Sequence, residues 1–288
     1  MVFYKIYKRR GVSSFLAIKN FARDNQIKKI GHAGTLDPLA EGLLLVATND
    51  DTKALSLISN ETKEYEVTAT LNKFSESYDE GTEIYDIACP IVITKDKLLE
   101  ALKTIKEQKY QIPPIFSAKK VNGVRSYKLA RSNQNISLKP CKIEILSLEL
   151  TYFDQKNQTF AIKTTVSKGT YIRSLIHDIG KLLKTDAIVN SLKRTKIGNL
   201  EINSDISYEK INDLELLFSL PVISIKNNDL ISIYKNKKLI VNNELSKFKE
   251  AVFCYENEVI GWANNENDKF NFKKIFFNRI EKILTKEK

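Results

Sequence analysis

Apolar and polar residues alternate over Tyr65-Glu66-Val67-Thr68-Ala69-Thr70-Leu71, which predicts a half-buried strand. Phe160, Ile162, Thr164 and Val166 predict a second, and Ile143 to Leu150 a third whose alternation slips once. Elsewhere the spacing is helical. Phe15, Ile18 and Ala22 fit a helix over residues 12–23, capped by Ser13 or Ser14. Thr94 can cap a helix carrying Leu98, Leu99, Leu102 and Ile105 on one face. Gly169-Thr170 can cap a helix carrying Ile172, Leu175, Ile176 and Ile179, again at helical spacing. Residues 29–42 hold three glycines and a proline and read as a loop. Past Pro221 the charge balance changes, and three short pieces read as strands: Leu230–Tyr234, Ala251–Tyr255 and Val259–Ala263. No internal repeat is visible. The pattern is α+β without a βαβ rhythm: a larger domain over residues 1–225 and a small β-rich one over 226–288.

Composition narrows the class. The chain has 288 residues, 42% apolar and 28% charged, enough for a packed core in one large or two smaller domains. No apolar run approaches the ~20 residues of a membrane helix. The N-terminal MVFYKIYKRRG lacks the apolar stretch of a secretory signal. The three cysteines, Cys89, Cys141 and Cys254, are odd in number and widely spaced, as for reduced thiols in a cytoplasm. With two histidines and no cysteine pair at ligand spacing, a zinc site is not expected.

Charge is uneven. Residues 1–30 carry eight Lys/Arg against one acid, 31–100 five against fourteen, and 101–200 nineteen against six. Residues 201–288 balance at fourteen each, which leaves the chain at +11. A polyanion suits such basic stretches, because each neutralised phosphate releases condensed counterions. A solvated lysine-rich surface gives the same counts.

Four segments carry candidate chemistry. In GHAGTLDPLAEG (31–42) the glycines let a ligand approach the backbone, and Pro38 holds Asp37 extended on a stiff loop. An Asp before Pro also simply starts a turn. KEYEV (63–67) opens a strand with Tyr65, where a core aromatic is the plain reading. QIPPIFSAKKVNG (111–123) joins a stiff turn to a basic loop holding Lys119 and Lys120. SKGTYIR (167–173) sets Arg173 in a first helical turn, where helix energetics favour an acid; an arginine there can face an anion or simply be solvated.

Together these segments, in this order, resemble the TruB family of pseudouridine synthases, which act on the T loop of tRNA. GHAGTLDPLAEGLL is similar to the family's catalytic loop and KEYEVTATL to its substrate-stacking strand. IPPIFSAKKVNG, continuing to Tyr127, Ala130 and Arg131, resembles its proline-and-basic segment, and SKGTYIRSLIHDIG its arginine motif. Leu192-Lys193-Arg194-Thr195 resembles the L-R-R-T stretch that follows. The likeness runs from about Lys8 to Gly198. Two departures stand out. The family's Lys-Pro before Gly-x-Ser-Ser is here Lys8-Arg9-Arg10, without the proline. Its T-x-T-x-D-x-x-G stretch is here Ser75 to Gly81, one residue shorter.

The resemblance implies a central mixed and antiparallel sheet flanked by helices and loops, with a PUA-like C-terminal domain. It implies a monomer that isomerises uridine 55 of tRNA after flipping it out of the loop. Asp37 would be the covalent catalyst, with C1′ attack, C6 attack and a glycal route all open. Each route needs an ionised carboxylate, which a nearby cation favours, and Arg173 is the matching partner. Tyr65 would stack on the uracil, a contact worth about 1–3 kcal/mol, and assist proton removal from C5. Tyr171 and Leu192 would line the pocket, and His32 would fill the gap left by the base. Lys8, Lys119, Lys120 and Lys168 would meet phosphates, and no metal or organic cofactor would be needed. Two other readings remain at this point: a non-catalytic RNA-binding or RNA-folding protein, and a glycosidase using Glu41 as its second carboxylate.

Overall fold

The computed structural model describes residues 3–58, 61–117, 119–121, 123–132, 138–240 and 245–286. Its spine is a nine-stranded sheet. Seven strands follow in the order Ile145–Asp154, Thr159–Val166, Lys63–Leu71, Ala187–Ile197, Ala40–Thr48, Phe3–Lys8 and Tyr208–Ile211. Leu200–Glu201 and Ile30–Ala33 pair at its margins. The alternating Lys63–Leu71 segment is an interior strand, and one of its faces feeds Val67, Ala69 and Leu71 into a core with Phe160 and Ile162 of the adjacent strand. Helices Lys95–Lys106 and Ile172–Leu182 add Leu98, Leu102, Ile105, Leu175, Ile176 and Ile179 to that core. The slip near Ile143–Leu150 corresponds to a register irregularity between Ile145 and Ser147.

One pairing in the main sheet is parallel. Ala187–Ile197 runs beside Ala40–Thr48, with Leu192 opposite Ala40 and Arg194 opposite Gly42. Gly42 has φ +104°, and a Cβ there would collide with the Arg194 carbonyl oxygen, so only glycine allows this approach. The pairing sets the end of the 31–42 segment directly against the Leu192–Arg194 stretch.

Local expectations change in three places. Residues 29–42 are not all loop, because Ile30–Ala33 pairs antiparallel with Ala40–Thr48. The 172–182 helix is capped at Tyr171 and not at Thr170, whose hydroxyl faces Ser167 at 3.5 Å. Leu230–Tyr234 is helix, within Asn227–Asn236. Its isoleucines have strand propensity, but Leu230 and Ile233 lie one turn apart and both are buried. The Asp229 carboxylate also accepts the Lys226 N–H at 3.1 Å, fixing the first turn.

The C-terminal sheet has five strands in the order Val222–Ser224, Glu250–Tyr255, Glu258–Glu266, Lys269–Ile275 and Lys238–Ile240. It therefore begins at Val222, ahead of the expected boundary after residue 225. Val252, Cys254, Val259 and Phe276 share one apolar cluster with Phe3, Leu43, Leu45 and Ala47 of the main sheet. An ion pair crosses the same seam: Arg279 Nη2 lies 2.6 Å from Asp51 Oδ1, with both side chains buried. Among the described residues no helix is long and apolar enough to cross a membrane.

Candidate active site

The 34–42 loop is held from beneath by two buried cations. Lys8 is fully buried, 0% exposed, at the end of the Phe3–Lys8 strand. Its ammonium donates to the carbonyls of Ala40 at 2.5 Å, Val12 at 2.6 Å, Arg9 at 3.1 Å and Pro38 at 3.3 Å. Lys8 therefore faces no phosphate; it ties the loop to the sheet. The sequence shows a basic residue beside two arginines, and burial alone distinguishes it from them. That burial pulls its pKa down to about 8, against the attraction of Asp37 and Glu41. Arg194 does the same work from the neighbouring strand, donating to Leu43 O at 2.8 Å and Gly34 O at 3.1 Å. The Ser14 hydroxyl adds bonds to the N–H and carbonyl of Leu36, both 2.9 Å.

Asp37 stands on this frame, its side chain 37% exposed. Arg173 reaches it from the first turn of the Ile172–Leu182 helix, with Nε 2.9 Å from Asp37 Oδ2. The Arg173 side chain is 5% exposed and all its nitrogens are engaged. Nη1 donates to Ser77 O at 2.7 Å and Nη2 to Phe116 O at 2.8 Å. Such a fork fixes the direction of its bond to Asp37 as well as its charge.

A second carboxylate meets the same guanidinium. Asp79 Oδ2 lies 3.6 Å from Arg173 Nε, while Asp79 Oδ1 accepts from Ser77 Oγ at 2.5 Å and Gly81 N at 2.9 Å. Asp79 was not singled out from sequence, although it lies in the shortened Ser75–Gly81 stretch. Its signal would have been an Asp with a serine two residues before it and a glycine two after it, a local turn in its own right. Tyr78 fastens this turn to the Arg173 helix, its ring stacked on His177 at 4.0 Å and 10°. Burial lowers the His177 pKa.

Asp37, Asp79, Arg173, Leu39, Asn190 and Leu192 line a narrow, part-open pocket with a cavity volume of about 10 Å³. Leu192, 8% exposed, forms part of this wall. Tyr65 is not on the open wall; it is 9% exposed, in the core cluster that also holds Leu36, Ile172 and Leu192. Tyr171 is half-buried beside the same charges, and its N–H donates to Gln111 Oε1 at 2.8 Å. Burial raises its hydroxyl pKa, countered by a hydrogen bond with Ser117.

The remaining candidates lie further out. His32 sits on the Ile30–Ala33 strand opposite Val46; its ring has a hydrogen bond with the Gly34 backbone, and its buried Nδ1 finds no partner among the described residues. Burial and the nearby Arg194 lower its pKa, which keeps the ring neutral at neutral pH. Lys168 is exposed on the turn before the Arg173 helix. Lys119 is half-buried and donates to Lys139 O at 3.2 Å. The side chain of Lys120 lies outside the described residues, as do those of Tyr127 and Arg131.

Comparison with known proteins agrees with this geometry. Residues 22–172 match the model of the TruB family pseudouridylate synthase N-terminal domain. The tRNA pseudouridine synthase B of Mesomycoplasma hyopneumoniae is 41% identical over 97% of this chain and 84% of its own length. That of Mycoplasma mobile is 39% identical over 96% and 95%. Among solved structures, the fold matches a Cbf5–Nop10–Gar1 complex at TM-score 0.69 and 18% identity, covering 96% of this chain and 84% of that one. The family-model match and these relatives define an enzyme of the pseudouridine synthase class. The chain belongs to the TruB family, whose members isomerise uridine in RNA.

Proposed function

We propose that the protein converts uridine 55 in the T loop of tRNA to pseudouridine, with Asp37 as the covalent catalyst. The observation that carries this reading is the Arg173–Asp37 contact at 2.9 Å, on the wall of a pocket open to solvent. A base inside a folded loop is out of reach, so the nucleotide is everted into that pocket. The N1–C1′ bond breaks, the uracil turns, C5 bonds to C1′, and the C5 proton leaves. Attack at C1′, attack at C6 and the glycal route all require the Asp37 carboxylate at the reacting nucleotide. Arg173 orients that carboxylate and supplies its counter-charge, and Asp79 orients Arg173 in turn.

Leu192 and Tyr171 border the uracil, and Tyr65 stacks on it once the pocket has widened. The neutral His32 ring fills the space the base vacates. Lys119, Lys120 and Lys168 meet the RNA backbone. The working form is a cytoplasmic monomer, in keeping with three free cysteines.

Glu41, the second carboxylate of the glycosidase alternative, is instead hydrogen-bonded to Tyr7, whose phenol pKa is raised by burial and by Glu41. Mapping pseudouridine in tRNA incubated with the parent protein and with Asp37→Asn tests the proposal. A modified position 55 that vanishes with the carboxylate is the expected result. Modification elsewhere, or none, contradicts it.

A further inference from the structure

Arg10 spans the mouth of the pocket. The segment that carries it is tied to the catalytic loop, since Gly11 N donates to Pro38 O at 2.8 Å. From that side Arg10 crosses to the facing wall. Its Nη2 lies 2.6 Å from Glu80 Oε2, and its Nη1 donates to Asn190 O at 3.0 Å. Glu80 follows Asp79, and Asn190 lines the pocket and donates to Glu80 Oε1 at 3.3 Å. One guanidinium thus joins the Pro38 wall to the Asp79–Glu80 and Asn190 wall.

Three observations show that this contact must give way. The closed cavity amounts to only about 10 Å³, far below the ~300–1,000 Å³ of ordinary ligand pockets, so its walls part to admit a nucleotide. The Arg10 and Glu80 side chains are 41% and 36% exposed, and an exposed ion pair is weak enough for another anion to displace it. Finally, Glu80 places a negative charge on the rim of a pocket whose substrate is a polyanion. A guanidinium fork pairs with phosphate as readily as with carboxylate.

We propose that Arg10 is a phosphate-binding residue held in reserve by Glu80. In the free protein it latches the two walls. On RNA binding it exchanges the Glu80 carboxylate for a backbone phosphate beside the everted nucleotide, and the Asp79–Glu80 wall is released. This rests on the reading that the pocket takes an RNA nucleotide.

The test is equilibrium binding of a T-stem-loop RNA across a salt series, in an Asp37→Asn background so that nothing turns over. Arg10→Ala weakens binding and lowers the slope of log K against log salt by about 0.7–0.9, the loss of one phosphate contact. Arg10→Lys restores the slope. Glu80→Gln leaves the slope unchanged and tightens binding by up to about fivefold. In the Arg10→Ala background, Glu80→Gln gains nothing. An unchanged slope in Arg10→Ala overturns the proposal. So does a Glu80→Gln gain that survives without Arg10, since that is plain charge repulsion. Failure of the Asp37→Asn parent to bind the RNA at any salt instead overturns the RNA reading, and this proposal with it.

Discussion

Arg173 Nε lies 2.9 Å from Asp37 Oδ2, and the same guanidinium closes on the carbonyls of Ser77 and Phe116. Three segments far apart in sequence thus converge on one side chain. Replacing it tests geometry separately from charge. Arg173→Lys keeps the cation but supplies a point donor in place of the fork. The expected outcome is a fall in kcat of at least about 100-fold, with KM for the RNA changed far less. Unpaired Ser77 and Phe116 carbonyls cost about 1–3 kcal/mol of stability. Steady-state kinetics and urea unfolding read the two effects.

Lys8 predicts a pH dependence. Its folded-state pKa of about 8 lies below the 10.5 of the free side chain. Between those values the unfolded chain holds a proton that the folded chain has released. Stability from this site therefore rises with pH across that window, by at most about 1.4 kcal/mol per pH unit. Lys63, also near 8, adds its own share. Lys8→Met removes only the first. Urea midpoints at pH 7.5, 8.5 and 9.5 should show a smaller rise with pH in Lys8→Met than in the parent. The variant is also less stable at pH 7.5, because the Ala40 and Val12 carbonyls lose their donor.

Arg279 predicts that the two sheets unfold together. Its guanidinium pairs with Asp51 at 2.6 Å and Glu258 at 3.1 Å, and donates to Val259 O at 2.5 Å. Arg279→Ala leaves Asp51 buried across the seam without this partner, at a cost of about 3–5 kcal/mol. Limited proteolysis should then release the C-terminal domain, where the parent resists.

Much of this site was legible in the sequence, and the misses share one cause. Asp37-Pro38 among glycines fits a plain turn as well as a displayed carboxylate, and Arg173 in a first helical turn fits solvent as well as an anion; only the four segments taken together single them out. The alternation of residues 65–71 marks an interior strand of the sheet. What stayed hidden depends on contacts between distant segments. Asp79 acquires its role only because the Arg173 helix lies over its turn. Lys8 looks like its exposed neighbours Arg9 and Arg10 until the sheet closes over it. Leu230–Tyr234 carries strand-forming residues at helical spacing, and burial of Leu230 and Ile233 decides for the helix.

The most direct measurement of the central claim is tritium release from T-stem-loop RNA labelled at C5 of uridine. The parent protein should release label in step with pseudouridine formation. Asp37→Asn should release none while still binding the RNA. Release by Asp37→Asn at the parent's rate, or none from the parent itself, contradicts the account.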